Sequence, residues 1–322
     1  MACKASYVTQ RIDAFRIMVT PFSLPEPSST YLREERMSGP LCWSNPPTLN
    51  PSSGTGHVEK LGGLDSYVTG SPDSKLAVLL VSDIFGFEAP NLRKLADKVA
   101  AAGFFVVVPD FLNKDPYVPE DANRPLPVWI KDHGPDKAFE DAKPVLEALK
   151  SKGVSAIGAV GFCWGAKVVV ELAKHALIQA AVLCHPSFVT VDDIKKVKVP
   201  ISILGAEIDG MSPPELVTHF EEVLTANGVK SHVKIFPKVS HGWTVRYNGE
   251  DKAACKSAEE AHQDLLDWFL KHVKGVTLSA GVFLALHEDF RPAPLFALLS
   301  AIASPLLKRG ETRMYMRSNL CE

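Results

Sequence analysis

The 322-residue chain has few cysteines and no cysteine pattern. Its six stand apart, at 3, 42, 163, 184, 255 and 321, without a CxxC pair or the density of a disulfide-stapled domain, which favours a reducing compartment. HExxH or Cys/His metal spacing, a Walker glycine loop and a GxGxxG opening are all missing, so the sequence implies no metal and no cofactor. No apolar run reaches the roughly 18 residues that a membrane-spanning helix needs. Neither sign of charge prevails: 35 basic against 37 acidic residues leave a formal net charge of -2, too little field to draw the chain to nucleic acid or an anionic membrane. Internal repeats and low-complexity tracts are absent as well. What remains is a globular chain, 46% hydrophobic, with material for a sizeable core. Its expected partners are small molecules, and a cytoplasmic monomer is the expected state.

Prolines 21, 25, 27, 40, 46, 47 and 51, mixed with serines, mark residues 1–55 as a largely irregular extension outside the main fold. Lys4, Arg11 and Arg16 against the single acid Asp13 weakly resemble an organelle transit peptide, and Met37 offers an alternative internal start. Between 56 and 274 strands and helices alternate. Strands are expected at 65–69, 76–81, 104–108, 156–160, 178–183, 200–204 and 232–236, and helices at 91–102, 137–150, 166–175, 215–226 and 259–273, with Pro144 placed to bend the second helix. This rhythm is that of an α/β domain with a mostly parallel sheet covered on both faces, whose chemistry lies beyond the strand C-termini. Residues 275–322 break the rhythm with apolar stretches cut by Pro292, Pro294 and Pro305, and form a C-terminal extension of uncertain structure.

Gly161-Phe162-Cys163-Trp164-Gly165 follows an apolar strand and precedes a helix. A Gly-x-nucleophile-x-Gly turn there is a nucleophile elbow, too tight for a Cβ where strand and helix nearly touch. The nucleophile is a thiol, at a helix N-terminus whose dipole favours thiolate. A thiol nucleophile needs a base and a carboxylate to orient that base, in the order nucleophile, acid, histidine. Asp209 follows the strand at 200–204 and begins an Asp-x-x-x-Pro turn, with Glu207 as its rival; His241 follows the strand at 232–236, and Gly242 leaves room for a ligand beside the imidazole. Singly, Cys163 could be an ordinary buried cysteine, Asp209 a turn acid and His241 a loop histidine. Together, three loops after three strands carry the three required side chains in the required order.

The elbow at 161–165, Asp209 ahead of Pro213, Ser-His-Gly-Trp at 240–243 and Ser-Asp-Ile-Phe-Gly at 82–86 resemble the dienelactone hydrolase family over about residues 56–274. Cys-His-Pro-Ser at 184–187 is similar to its eukaryotic, carboxymethylenebutenolidase-like branch. The resemblance implies the α/β-hydrolase fold and hydrolysis of small esters or lactones through a thioester, with Cys163 as nucleophile, His241 as base and Asp209 as orienting acid. It implies an oxyanion hole of the backbone amides of Ile84 and Trp164. Asp83 stands where dienelactone hydrolase proper has a glutamate that keeps the resting thiol neutral, and either gates the thiol or caps the following turn. Arg246 matches one arginine that binds the substrate carboxylate, and Arg124 lies in the region of another. His185 either lines the pocket or is an exposed turn residue; Trp243 is a pocket wall and Trp268 helix core. Two alternatives stand beside this reading: a non-catalytic ligand-binding or redox-sensing protein on the same fold, and a β-glucan hydrolase, a label that plant relatives of the family carry. The latter normally uses two carboxylates, and the sequence places no convincing second acid beside Asp209.

Overall fold

The computed structural model describes residues 44–275. Of the expected extensions at 1–55 and 275–322, residues 1–43 and 276–322 lie outside the described residues. Between them eight strands form one sheet in the order β1-β2-β4-β3-β5-β6-β7-β8: β1 His57–Leu61, β2 Leu64–Thr69, β3 Leu76–Val81, β4 Phe105–Pro109, β5 Ala156–Phe162, β6 Ala180–Cys184, β7 Ile201–Ile208 and β8 Ser231–Ser240. β1 and β2 pair antiparallel with each other, and β2 with β4; every other pairing is parallel. The helices are α1 Pro90–Ala101, α2 Leu126–Asp132, α3 Pro135–Ser151, α4 Trp164–Lys174, α5 Val191–Ile194, α6 Pro214–Ala226 and α7 Lys252–Phe269, which runs on as a π-turn at Leu270–Lys274.

The central strands are apolar throughout because helices cover both faces. Alternate residues of β3 part to opposite cores: Ala77, Leu79 and Val81 join Val145, Leu149, Val169 and Phe220 on one side, and Val78 and Leu80 join Leu92, Val99, Leu265 and Phe269 on the other. The chain leaves β3 to pair with β4 on one side and returns as β5 on the other. This reversal opens a crevice at the strand C-termini, the usual ligand site of such sheets.

Several elements differ from the expected ones. β1 is polar and exposed along most of its length, so it carries no apolar signal. β8 continues past Phe236 through Pro237 to Ser240, which an edge strand tolerates because a proline there costs no ladder bond to a further neighbour. α7 begins at Lys252, not near 259; Asp251 caps it by accepting from the amides of Ala253 and Ala254. Pro144 lies within α3, which is a single helix over its whole length.

Residues 44–55 contain no helix or strand, yet they are tied to the fold. The buried Arg93 donates to the carbonyls of Pro51 and Ser53, at 2.7 and 3.2 Å, and to that of Phe87. The Asn50 amide donates to the Glu88 carbonyl, and the Thr55 amide to Asp97.

Candidate active site

The elbow is as tight as its glycines require. A Cβ on Gly161 would lie 2.3 Å from the Gly165 carbonyl oxygen, and one on Gly165 would lie 2.3 Å from the Val81 oxygen and 2.5 Å from that of Ser82. Cys163, between them, is held at φ +52° and ψ -112°. That strain persists because the surroundings fix the backbone: the Cys163 amide donates to the Cys184 carbonyl at 3.1 Å, and its carbonyl accepts from the Ser187 amide at 3.0 Å. The side chain is wholly buried. Trp164 is the first residue of α4, where helix geometry leaves an amide without an intrahelical acceptor. Its indole is locked by donating to the His133 carbonyl at 2.9 Å. Ile84, in the turn closed by the Gly86 amide on the Asp83 carbonyl, is buried and accepts from the Tyr117 amide.

Asp209 and His241 meet as the strand ends demand. Asp209 directly follows β7, and its Oδ1 accepts from the amides of Met211 and Ser212 at 2.8 and 3.1 Å. Its other oxygen, Oδ2, lies 2.7 Å from His241 Nδ1, both side chains being fully buried. The bond fixes the ring and leaves Nε2, the nitrogen not engaged by Asp209, for proton transfer. Burial opposes a charged His241, but the negative charges of the Cys163 sulfur and of Asp209, with the hydrogen bonds each offers, outweigh it and raise its pKa to about 9. The rival Glu207 is exposed and accepts from the Lys238 amide.

Asp83 is buried, and its Oδ1 accepts from the Phe85 amide, the capping arrangement. Its Oδ2 lies 3.3 Å from Arg246 Nε. Burial pushes the Asp83 carboxyl up, while Arg246, the Phe85 amide and His241 oppose the rise. Arg246 also donates from Nη1 to the Ser44 carbonyl at 2.9 Å, and its guanidinium occupies the space beside Gly242, where a Cβ would approach within 2.2 Å. The room that Gly242 leaves is therefore filled by this chain's own arginine. Arg124 pairs bidentately with Asp115 at 2.7 Å.

His185 is not an exposed turn residue but completely buried, at φ +37°. Its Nε2 lies 2.8 Å from Thr244 Oγ1, and its ring meets those of His241 and Trp243 edge-on at 5.0 and 5.3 Å. Burial, with the nearby charges of His241 and Arg246, drives its pKa well below the usual value and keeps it neutral. Trp243 is nearly buried against His185 and Phe236, and its indole nitrogen has no partner. Trp268, near the end of α7, packs into the core. One neighbour of Cys163 has no role in the motif reading: Ser187 Oγ lies 3.3 Å from Cys163 Sγ. Among the described residues no group of three His, Cys, Asp or Glu side chains could hold a metal ion, and no helix is long and apolar enough to cross a membrane.

A nucleophile-type elbow after β5 of a mostly parallel sheet, with an acid and a histidine beyond β7 and β8, defines an α/β-hydrolase. Comparison with known proteins narrows this. The model of the dienelactone hydrolase family matches residues 64–273, and the chain belongs to that family. The mouse carboxymethylenebutenolidase homolog is 33% identical over 226 residues, covering 68% of this chain and 92% of its own. A maize protein named endo-1,3;1,4-β-D-glucanase is 51% identical over 163 residues, but the match spans only 51% of this chain and 52% of the maize protein. In fold, a Klebsiella pneumoniae protein assigned as a dienelactone hydrolase superposes with a TM-score of 0.56 at 20% identity, covering 65% of this chain and 93% of that one. Family membership places the chain among hydrolases of carboxylic ester and lactone bonds.

Proposed function

We propose that the protein hydrolyses small esters or lactones through Cys163, oriented and activated by His241 and Asp209. The observation that carries this is the buried 2.7 Å Asp209–His241 pair, whose raised histidine pKa draws on the charge of the elbow sulfur. The reactive form of the centre is a thiolate beside an imidazolium. The sulfur attacks the carbonyl carbon, and as the C–S bond forms the carbonyl electron pair moves to oxygen, which the amides of Ile84 and Trp164 would stabilise. Collapse breaks the acyl C–O bond, and the departing alkoxide takes the proton of His241 Nε2. In a lactone that alcohol remains attached to the acyl group. Water then gives a proton to His241 as its oxygen attacks the thioester; the C–S bond breaks, and thiolate, imidazolium and a carboxylic acid are left. His185 Nδ1 and Trp243 Nε1 are buried polar atoms without partners in adjoining rings, which a polar substrate would satisfy. A reducing compartment such as the cytoplasm suits a thiol that must stay reduced.

The test is hydrolysis of dienelactone and a graded panel of aryl esters and lactones by the intact chain and by Cys163→Ala. The intact chain should turn over part of the panel and the variant none of it. Equal rates would remove Cys163 from the chemistry; a folded chain inert on the whole panel would favour a ligand-binding or redox-sensing role. The maize relative's name supports a second reading, hydrolysis of a mixed-linkage β-glucan. Both carboxylates near His241 have partners, Asp209 the imidazole and Asp83 an arginine, and neither is disposed as a glycosidase acid. Depolymerisation of the glucan that survives Cys163→Ala would establish that reading.

A further inference from the structure

The loop after β6 does more than border the site. Its residues hold the nucleophile from both ends of its peptide unit: the Cys184 carbonyl takes the Cys163 amide, and the Ser187 amide gives to the Cys163 carbonyl. The loop is itself rigid. His185 and Phe188 are both at positive φ, +37° and +63°, although neither is glycine. The His185 amide donates to the Leu204 carbonyl, and Ser212 Oγ donates to the Pro186 carbonyl at 2.7 Å. This framework puts the wholly buried Ser187 hydroxyl 3.3 Å from Cys163 Sγ. A thiolate can only accept, so in the reactive state the hydroxyl must be the donor.

We propose that Ser187 is a hydrogen-bond donor to the nucleophile, holding the Cys163 sulfur in the thiolate form and aligned for attack. The proposal rests on Cys163 being the nucleophile. A charge-assisted bond of this kind is among the stronger hydrogen bonds, and in a site closed to water nothing replaces it once the hydroxyl is gone. The titratable and charged groups around the sulfur and its histidine are His241 after β8, Asp209 after β7, His185 after β6, Asp83 after β3, and Arg246 in the turn beyond His241. None of them is altered by changing Ser187.

The test titrates the ultraviolet absorbance of the thiolate in the full chain against pH, with the Cys163→Ala chain subtracted to isolate the one sulfur. In Ser187→Ala, each chain again corrected by its Cys163→Ala partner, the midpoint should rise by about one pH unit, a roughly tenfold loss of thiolate on the acid side. Ser187→Gly should give the same shift. Ser212→Ala loosens the same loop without touching the sulfur; it should lower the melting temperature and leave the midpoint in place. A midpoint unmoved by either Ser187 variant, or moved as far by Ser212→Ala, would overturn the assignment. The readout is the sulfur itself, so it stands apart from the hydrolysis test: Ser187 can fail here while Cys163 remains the nucleophile. Hydrolysis by Cys163→Ala would instead remove the nucleophile reading.

Discussion

Replacing Gly165 by alanine tests a backbone-on-backbone contact at the elbow. The added Cβ would lie 2.3 Å from the Val81 carbonyl oxygen, 2.5 Å from that of Ser82 and 2.8 Å from the Val81 carbonyl carbon, where ordinary contacts begin at 3.4 Å. Every obstructing atom is backbone, so no rotamer change relieves the clash. α4 and the end of β3 must part by about 1 Å in a region packed as densely as a crystal. β3 is hydrogen-bonded on both sides, to β4 and β5, so the retreat strains the centre of the sheet. Overpacking of this sort costs about 1–3 kcal/mol, and backbone against backbone belongs at the upper end. The rate should fall further than stability suggests. Trp164 immediately precedes Gly165, and Asp83 and Ile84 immediately follow Ser82, so the same movement separates the two amides proposed to hold the oxyanion. A displacement of about 1 Å is worth roughly a hundredfold in rate. Urea unfolding and kcat on the best ester of the panel measure both effects. Gly63→Ala is the control: at φ +93° with nothing within 4 Å of its Cβ, it should cost about 1 kcal/mol of left-handed strain and leave kcat unchanged. If Gly165→Ala unfolds within about 0.5 kcal/mol of the parent and keeps its rate, the close approach of α4 to β3 is not what holds the site.

Asp209→Asn keeps the shape of the acid but removes a charge that holds the His241 proton. The descending limb of kcat/KM, expected near pH 9 where the imidazolium is lost, should move toward lower pH; a limb that stays put would separate Asp209 from the histidine's titration. The same raised value makes the stability contributed by this proton complete below the ordinary histidine value of 6.5 and lost as pH rises through about 9, so chemical denaturation at pH 6 and pH 10 should differ in that sense. Arg246→Met strands the buried Asp83 carboxylate and should cost about 3–5 kcal/mol at neutral pH, most of it recovered in Arg246→Met/Asp83→Asn; equal stability of the two variants would mean that the ion pair holds nothing. Arg93→Met releases the carbonyls of Pro51 and Ser53 and should lower stability by about 2 kcal/mol or more with kcat intact, since Arg93 touches none of the site residues; an unchanged midpoint would mean that residues 44–55 only rest on the fold.

The parts of this molecule that were legible in the sequence are those where one physical demand leaves one residue type. The elbow needs two residues without Cβ atoms, and Gly161 and Gly165 stand out for that reason. β3 to β6 are buried on both faces and read as apolar runs. Where demands are weaker, the sequence is silent. β1 is an exposed edge strand with no apolar pattern, and α7 opens with a polar turn whose one signal, the Asp251 cap, precedes any periodicity. Ser187 is legible only as the end of the Cys-His-Pro-Ser motif: its place beside the sulfur follows from two positive-φ residues, His185 and Phe188, that no local rule selects. Gly242 was legible as a gap but not for what fills it.

That gap shows how the site carries so much buried charge. His241 and Arg246 are five residues apart in chain order, with the Arg246 guanidinium packed over Gly242, and a like charge enclosed beside an imidazolium disfavours its charged form. Each is clamped by its own carboxylate, His241 by Asp209 at 2.7 Å and Arg246 by Asp83 at 3.3 Å, and the Cys163 sulfur adds a negative charge on the histidine side. His185 has no such partner, and its burial, with the two cations beside it, keeps it neutral at the centre of the rings. Charge of alternating sign is what would let a centre shut away from water hold the proposed thiolate. A side chain at Gly242 would push Arg246 off Asp83, leave that carboxylate to take up a proton, and break the alternation at the point where the two pairs touch.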